Sequence, residues 1–210
     1  PGARPAGGDA GAGSYADAVG EALSLWSRSE TSGGFVFTSS GGVFAEDAGG
    51  TVDESSAVSD APRAAALLDA ERRALRGEGT VLRLAGLYDV ARGPHAYWLK
   101  AGAIKGSPEG LINLVHYEDA AGAVLAALGR GPAVRGATLL VGDGAPMTRA
   151  EIVEAARGST AFAGAAAPVF EVPEGAPRRT GKVYDVRKAR ELLRWTPRYG
   201  SFANFMALQR

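Results

Sequence analysis

The segment Phe35-Val-Phe-Thr-Ser-Ser-Gly-Gly-Val-Phe44 constrains this chain more than any other. Its apolar run reads as a strand buried on both faces, and the two serines and two glycines end it abruptly. Such a strand needs helices above and below its sheet, and the flanking sequence supplies them. Residues 62 to 76 read as a helix with Pro62 near its start, followed by a second buried strand, Thr80-Val-Leu-Arg-Leu-Ala85. Upstream, Tyr15, Val19, Leu23 and Trp26 form one helical stripe, with Ser14 and Asp17 at the N-cap and third helical positions.

The order helix, strand, helix, strand continues downstream. Tyr88 to Leu114 holds Gly, Pro and scattered aromatics, then Tyr117 to Leu128 reads as an Ala-rich helix closed by Gly129 and Gly131. A strand at Ala137-Thr-Leu-Leu-Val141 follows, and Thr148-Arg-Ala-Glu151 is a capping box that opens another helix. Gly158 to Pro177 reads as a loose connection with a short strand at Pro168 to Val172. The tail holds a helix from about Val186 to Leu193, a stop at Trp195-Thr-Pro197, and a last helix from Ser201. Strands alternating with helices imply an α/β fold with a parallel sheet covered on both faces.

Composition narrows the function classes. Lys plus Arg and Asp plus Glu both number 23, so no net field favours nucleic acid or an anionic membrane. Cysteine is absent, which removes disulfides, thiolate nucleophiles and thiolate metal sites, and no metal site is expected. No apolar run approaches the roughly 18 to 20 residues that cross a bilayer, and no signal peptide is evident, so the expectation is a soluble intracellular protein, in cytoplasm or an organelle. Residues 1 to 13 are rich in Gly, Ala and Pro and read as a linker. Gly8, Gly11 and Gly13 do not make a dinucleotide loop, because no strand precedes them.

Several motifs, in order, resemble the atypical extended short-chain dehydrogenases, also called NAD-dependent epimerase/dehydratase proteins. They are Phe35-Val-Phe-Thr-Ser-Ser40, Asp53-Glu54, the helix carrying Glu71, Val81-Leu-Arg-Leu-Ala-Gly-Leu-Tyr88, Asn113-Leu-Val-His-Tyr-Glu-Asp119 and Lys188-Ala-Arg-Glu-Leu-Leu-Arg-Trp-Thr-Pro197. The pattern looks closest to plant and algal members. The resemblance implies the C-terminal part of a Rossmann-like doubly wound parallel sheet, at residues 14–128, with 88–114 inserted toward the substrate side. It also implies a small C-terminal α/β lobe at 129–210.

The resemblance further implies NAD or NADP as cofactor. Ser40 then stands where the family's serine meets the reacting substrate oxygen, with Thr38, Ser39, Ala85, Gly86 and Arg63 toward the cofactor and His95 and Asn113 toward the substrate. The family's proton-transferring tyrosine and its lysine are missing. Counting back in fours from Glu71 puts Leu67 at the lysine position and Arg63 at the tyrosine position. Neither can donate and recover a proton there. The first half of the family's cofactor domain, with its glycine-rich loop, is also missing from the chain. Two readings stay open: a catalytically silent nucleotide sensor or scaffold in an assembly, and an active epimerase, dehydratase or reductase on a sugar nucleotide or small carbonyl compound, with Ser40 and Tyr88 as a substitute acid. A nonfunctional fragment is a third.

The other polar residues have structural roles in this reading. His116 is a histidine bonded to backbone at a strand end, Asp119 serves the helix dipole, Trp195 packs the terminal lobe, and Asp53 and Glu54 point apart.

Overall fold

The computed structural model of the chain describes residues 15–26, 34–174 and 180–209. The expected linker, its glycines and the Ser14 cap lie outside the described residues. Helix α1 (Tyr15–Leu25) leads to strand β1 (Val36–Ser40), a 3-10 turn at Gly41–Val43 and strand β2 (Ala48–Val52). Helix α2 (Pro62–Arg76) then leads to β3 (Thr80–Leu84) and β4 (Gly86–Tyr88). The segment from Tyr88 to Leu114, rich in Gly, Pro and aromatics, contains α3 (Pro94–Ala101), β5 (Ala103–Lys105) and β6 (Leu111–Ile112). After it come β7 (Leu114–His116), α4 (Tyr117–Arg130), β8 (Thr138–Val141), β9 (Met147–Thr148) and α5 (Arg149–Arg157). The chain closes with β10 (Val169–Glu171), β11 (Gly181–Tyr184), α6 (Arg187–Leu193) and α7 (Phe202–Ala207).

The central sheet has the order β1-β3-β8 and is parallel throughout. Alternation along β1 and β3 sends their side chains to opposite faces. Phe37 and Val81 pack with Ala16, Val19, Ala70 and Ala74 of α1 and α2. Leu82, Leu139 and Val141 pack on the other face with Ala123 and Ala127 of α4 and with Ala189 and Leu193 of α6. Helices therefore cover both faces, as the alternation requires. Because β8 belongs to this sheet, the division drawn at Leu128 and Gly129 runs through the main domain.

The two outer edges of the sheet differ. At β8, Glu54 accepts from the Leu140 N–H at 2.8 Å, and the Lys188 ammonium donates to the Thr138 carbonyl at 3.2 Å. Side chains thus occupy the peptide groups that another strand would need. At β1, Thr80 N–H donates to Phe35 O, so by alternation the peptide groups of Val36, Thr38 and Ser40 face away from β3.

A second apolar cluster holds the C-terminal portion together. Tyr88, Leu114, Ile152, Ala156, Phe202, Phe205 and Met206 are its buried members. Two caps set its helices. The Thr148 hydroxyl accepts from Glu151 N–H while the Glu151 carboxylate accepts from Thr148 N–H, and Ser201 accepts from Asn204 N–H. Short two-stranded pairings complete the edges: β4 with β7, β5 with β10, β6 with β9 and β2 with β11.

Candidate functional site

Ser40 ends β1 at the carboxyl rim of the parallel sheet, where open α/β sheets hold their ligands. Its backbone is extended and its oxygen accepts from Gly42 N–H at 3.1 Å, capping the 3-10 turn. The serine lone pair is engaged by the turn, which leaves its O–H to donate. Thr38 is exposed two residues back on the same strand face, and Gly86 is exposed at the start of β4. Ala85 is buried and its N–H donates to Val141 O, so only its backbone neighbourhood contributes to the rim.

Ser39 corrects the expectation made for it. It projects to the opposite face, where its hydroxyl donates to Glu71 Oε1 at 2.6 Å. The same carboxylate receives Nε and Nη2 of Arg83, with Nη2 at 2.8 Å from Oε2, and the Arg83 guanidinium lies 4.9 Å from the centre of the Phe44 ring. All three residues are buried. This network ties β1, β3 and α2 together and points away from any ligand on the rim.

Three more expected site residues are committed to packing. Tyr88 is fully enclosed, stacked edge-on against Phe202 and Phe205, and burial raises its pKa far above the ordinary phenol value. A phenol in that position has no path to a ligand, so Tyr88 is not a substitute acid. His95 is also enclosed, between Phe162 and Phe202, with Nε2 bonded to Val90 O at 3.1 Å. Burial lowers its pKa, which keeps the ring neutral. Asn113 spends its amide on β11: Nδ2 donates to Lys182 O at 2.8 Å and Oδ1 accepts from Tyr184 N–H at 3.0 Å.

Arg63 lies exposed in the first turn of α2, and Leu67 is half-buried one turn later. A guanidinium and an isobutyl group thus stand four residues apart on α2, and neither gives up and recovers a proton at neutral pH. His116 behaves as expected, its Nδ1 accepting from Glu118 N–H at the start of α4. Asp119 does more than serve the dipole: it accepts from the N–H groups of Arg198 and Tyr199 at 2.6 and 3.1 Å, clamping the C-terminal segment. Trp195 packs against the α4 side of the main core.

One group near the rim escaped the sequence reading. The Tyr184 ring, on β11, lies so close to Gly41 that a Cβ added there would come within 2.6 Å of it. Burial raises the pKa of this phenol to about 12. The adjacent Lys182 reaches back to Phe44 O at 2.9 Å, and burial lowers its pKa. Nothing local in the sequence marks Tyr184, apart from the glycine at position 41 that admits it.

These residues fit a dinucleotide in part. An exposed threonine and a glycine-opened neighbouring strand beside the Ser40 hydroxyl suit the nicotinamide and ribose end. Among the described residues, no strand turns through a Gly-x-x-Gly-x-x-Gly loop into an α-helix, so a pyrophosphate cradle is not among them. No cluster of His, Asp and Glu among the described residues is arranged to hold a metal ion, and no helix there is long and apolar enough to cross a membrane. Ser40 lines neither the groove of about 440 Å³ between α5 and α7 nor the one of about 340 Å³ near Asp53 and Asp185.

No protein-family profile and no curated protein matches the chain. Solved structures do match it. MoeE5, in complex with UDP-glucose and NAD, is 21% identical with a TM-score of 0.68 over 83% of this chain and 62% of its own. UDP-glucuronic acid 4-epimerase from Bacillus cereus, in complex with UDP-glucuronic acid and NAD, is 16% identical with a TM-score of 0.73 over 92% of this chain and 64% of its own. UDP-glucose 4-epimerase from Thermotoga maritima, with UDP-glucose, is 23% identical with a TM-score of 0.64 over 83% and 61%. The chain thus spans about three-fifths of the length of these proteins. It shares with them a Rossmann-like α/β fold, a parallel sheet with helices on both faces.

Proposed function

We propose that this chain is part of an NAD(P)-binding protein of the epimerase/dehydratase type that holds a nucleotide-linked ligand without turning it over, as a sensor or as a subunit of an assembly. The observation that carries this reading is a serine at the β1 tip combined with Arg63 and Leu67 on α2. The serine keeps its place at the strand tip and its O–H is free to donate, while Arg63 and Leu67 occupy the helix positions from which a proton would be moved. Binding geometry is retained and proton transfer is not.

Ser40 is assigned to the ligand oxygen and Thr38 and Gly86 to the cofactor, with Arg63 available to an anionic group at the helix start. The neighbours that hold NAD with a UDP-sugar support a sugar nucleotide as the ligand class. Fluorescence titration of the full-length protein with NADH and NADPH tests the reading: a saturable signal with either supports it, and none with both removes it. Hydride transfer or epimerisation in the same samples would favour an active enzyme instead.

A further inference from the structure

Ser40 Oγ and Tyr184 Oη flank one short turn of chain. A Cβ on Gly41 would strike the Tyr184 ring, and a Cβ on Gly42 would meet Ser40 Oγ at 3.2 Å. The two hydroxyls therefore sit over successive residues at the carboxyl rim of the sheet. Among the described residues, neither hydroxyl proton has an acceptor. Gly42 N–H occupies a lone pair of Ser40, and Tyr184 bonds to other described residues only through its backbone and its ring.

The strand that carries the phenol is anchored on both sides. The Asn113 amide grips Lys182 O and Tyr184 N, and the Lys182 ammonium is tied to Phe44 O, just beyond the turn that Tyr184 overlies. Edge-on contact with Phe44, ring centres 6.1 Å apart, fixes the ring plane. A phenol so held is pre-organised and not a loose surface group.

We infer that Ser40 and Tyr184 form a two-donor site for a hydroxyl or carbonyl oxygen of the ligand, with Tyr184 supplying from β11 the phenolic contact that α2 lacks. The inference rests on the proposed nucleotide-sugar reading and adds a residue and a role to it. A phenol whose pKa is raised by burial stays protonated at neutral pH, so it donates a hydrogen bond and does not act as a base. Two neutral donors can hold and polarise an oxygen, as oxyanion-binding groups do, without removing a proton. Tyr184 is a binding residue in this scheme, and no bond is made or broken.

The test compares the parent protein with Tyr184→Phe and Gly41→Ala. The first removes only the hydroxyl, and the second displaces the ring while keeping it. Calorimetric titration with UDP-glucose in the presence of NAD should show affinity about tenfold weaker in both, the worth of one good hydrogen bond. NADH affinity should stay within about twofold of the parent, since the phenol is assigned to the ligand oxygen alone. Ultraviolet titration should show one tyrosine ionising near pH 12 in the parent and missing from Tyr184→Phe. Equal UDP-glucose affinity in the parent and Tyr184→Phe overturns the inference and leaves the nucleotide reading standing. Parallel loss of NADH affinity and melting temperature in Tyr184→Phe also overturns it, by showing a structural role. A parent protein that binds neither NADH nor UDP-glucose removes the nucleotide reading and the inference together.

Discussion

The Ser39 hydroxyl donates to Glu71 at 2.6 Å, inside the core between β1 and α2. Glu71 in turn neutralises Arg83 on β3, so one carboxylate joins three elements of the main domain. Removing it strands a buried guanidinium whose Nη1 already has no partner. Glu71→Ala should cost about 3–5 kcal/mol, enough to threaten folding, whereas Ser39→Ala should cost about 1 kcal/mol. Urea unfolding midpoints check both. Because Ser39 faces away from the rim, Ser39→Ala should leave NADH affinity unchanged.

Asp143 sets a pH dependence. Its carboxyl is buried, with Oδ1 bonded to Ala145 N–H, and burial pushes its pKa up to about 7 against partial relief from the Ala145 and Phe202 backbone N–H groups and from Arg190. Asp119 and the enclosed Tyr88 are close enough to interact with it electrostatically. The folded protein holds this proton while the unfolded chain releases it near 3.8. The contribution of Asp143 is thus fully present below about pH 4 and is lost as pH rises through about 7, by up to roughly 4 kcal/mol. Asp143→Asn should raise stability at pH 8 relative to the parent and narrow that difference toward pH 4. Denaturant titrations at the two pH values measure it.

Asn113 holds β11 by both ends of its amide. Asn113→Leu would leave Lys182 O and Tyr184 N–H without that partner, at a cost of about 1–3 kcal/mol. Loosening β11 should also speed amide hydrogen exchange at Tyr184 relative to the core strand β3. Unchanged exchange at Tyr184 would show that the clamp is dispensable.

Much of the fold was legible because its main elements are strongly periodic. The β1, β3 and β8 strands are 4 to 5 residues long and each holds a short apolar run, and α2 and α4 fill Ala- and Leu-rich stretches that begin at Pro62 and Tyr117 and end at glycines. The β2 strand, Ala-Gly-Gly-Thr-Val, and the β11 strand, Gly-Lys-Val-Tyr, carry weak strand signals and stabilise each other by a pairing distant in sequence. That pairing delivers Tyr184 to Gly41, so the phenol was invisible to local reading. The facing of Ser39 was available in principle: it lies two residues from Phe37 and shares its inward face, while Ser40 takes the other. The resemblance points to His95 and Asn113 as substrate residues, and the missing tyrosine to Tyr88 as a substitute acid. Aromatic packing and the β11 clamp claim them instead.

The most direct measurement follows NAD and UDP-glucose together in one sample of the full-length protein. Calorimetry reports binding, and chromatography with nicotinamide absorbance reports chemistry. Retained Ser40 without a proton-transfer pair on α2 predicts saturable binding, with the sugar nucleotide recovered unaltered and no NADH accumulating. Bound ligand converted to an epimerised or dehydrated product, or reduced cofactor appearing in step with protein concentration, would contradict the account.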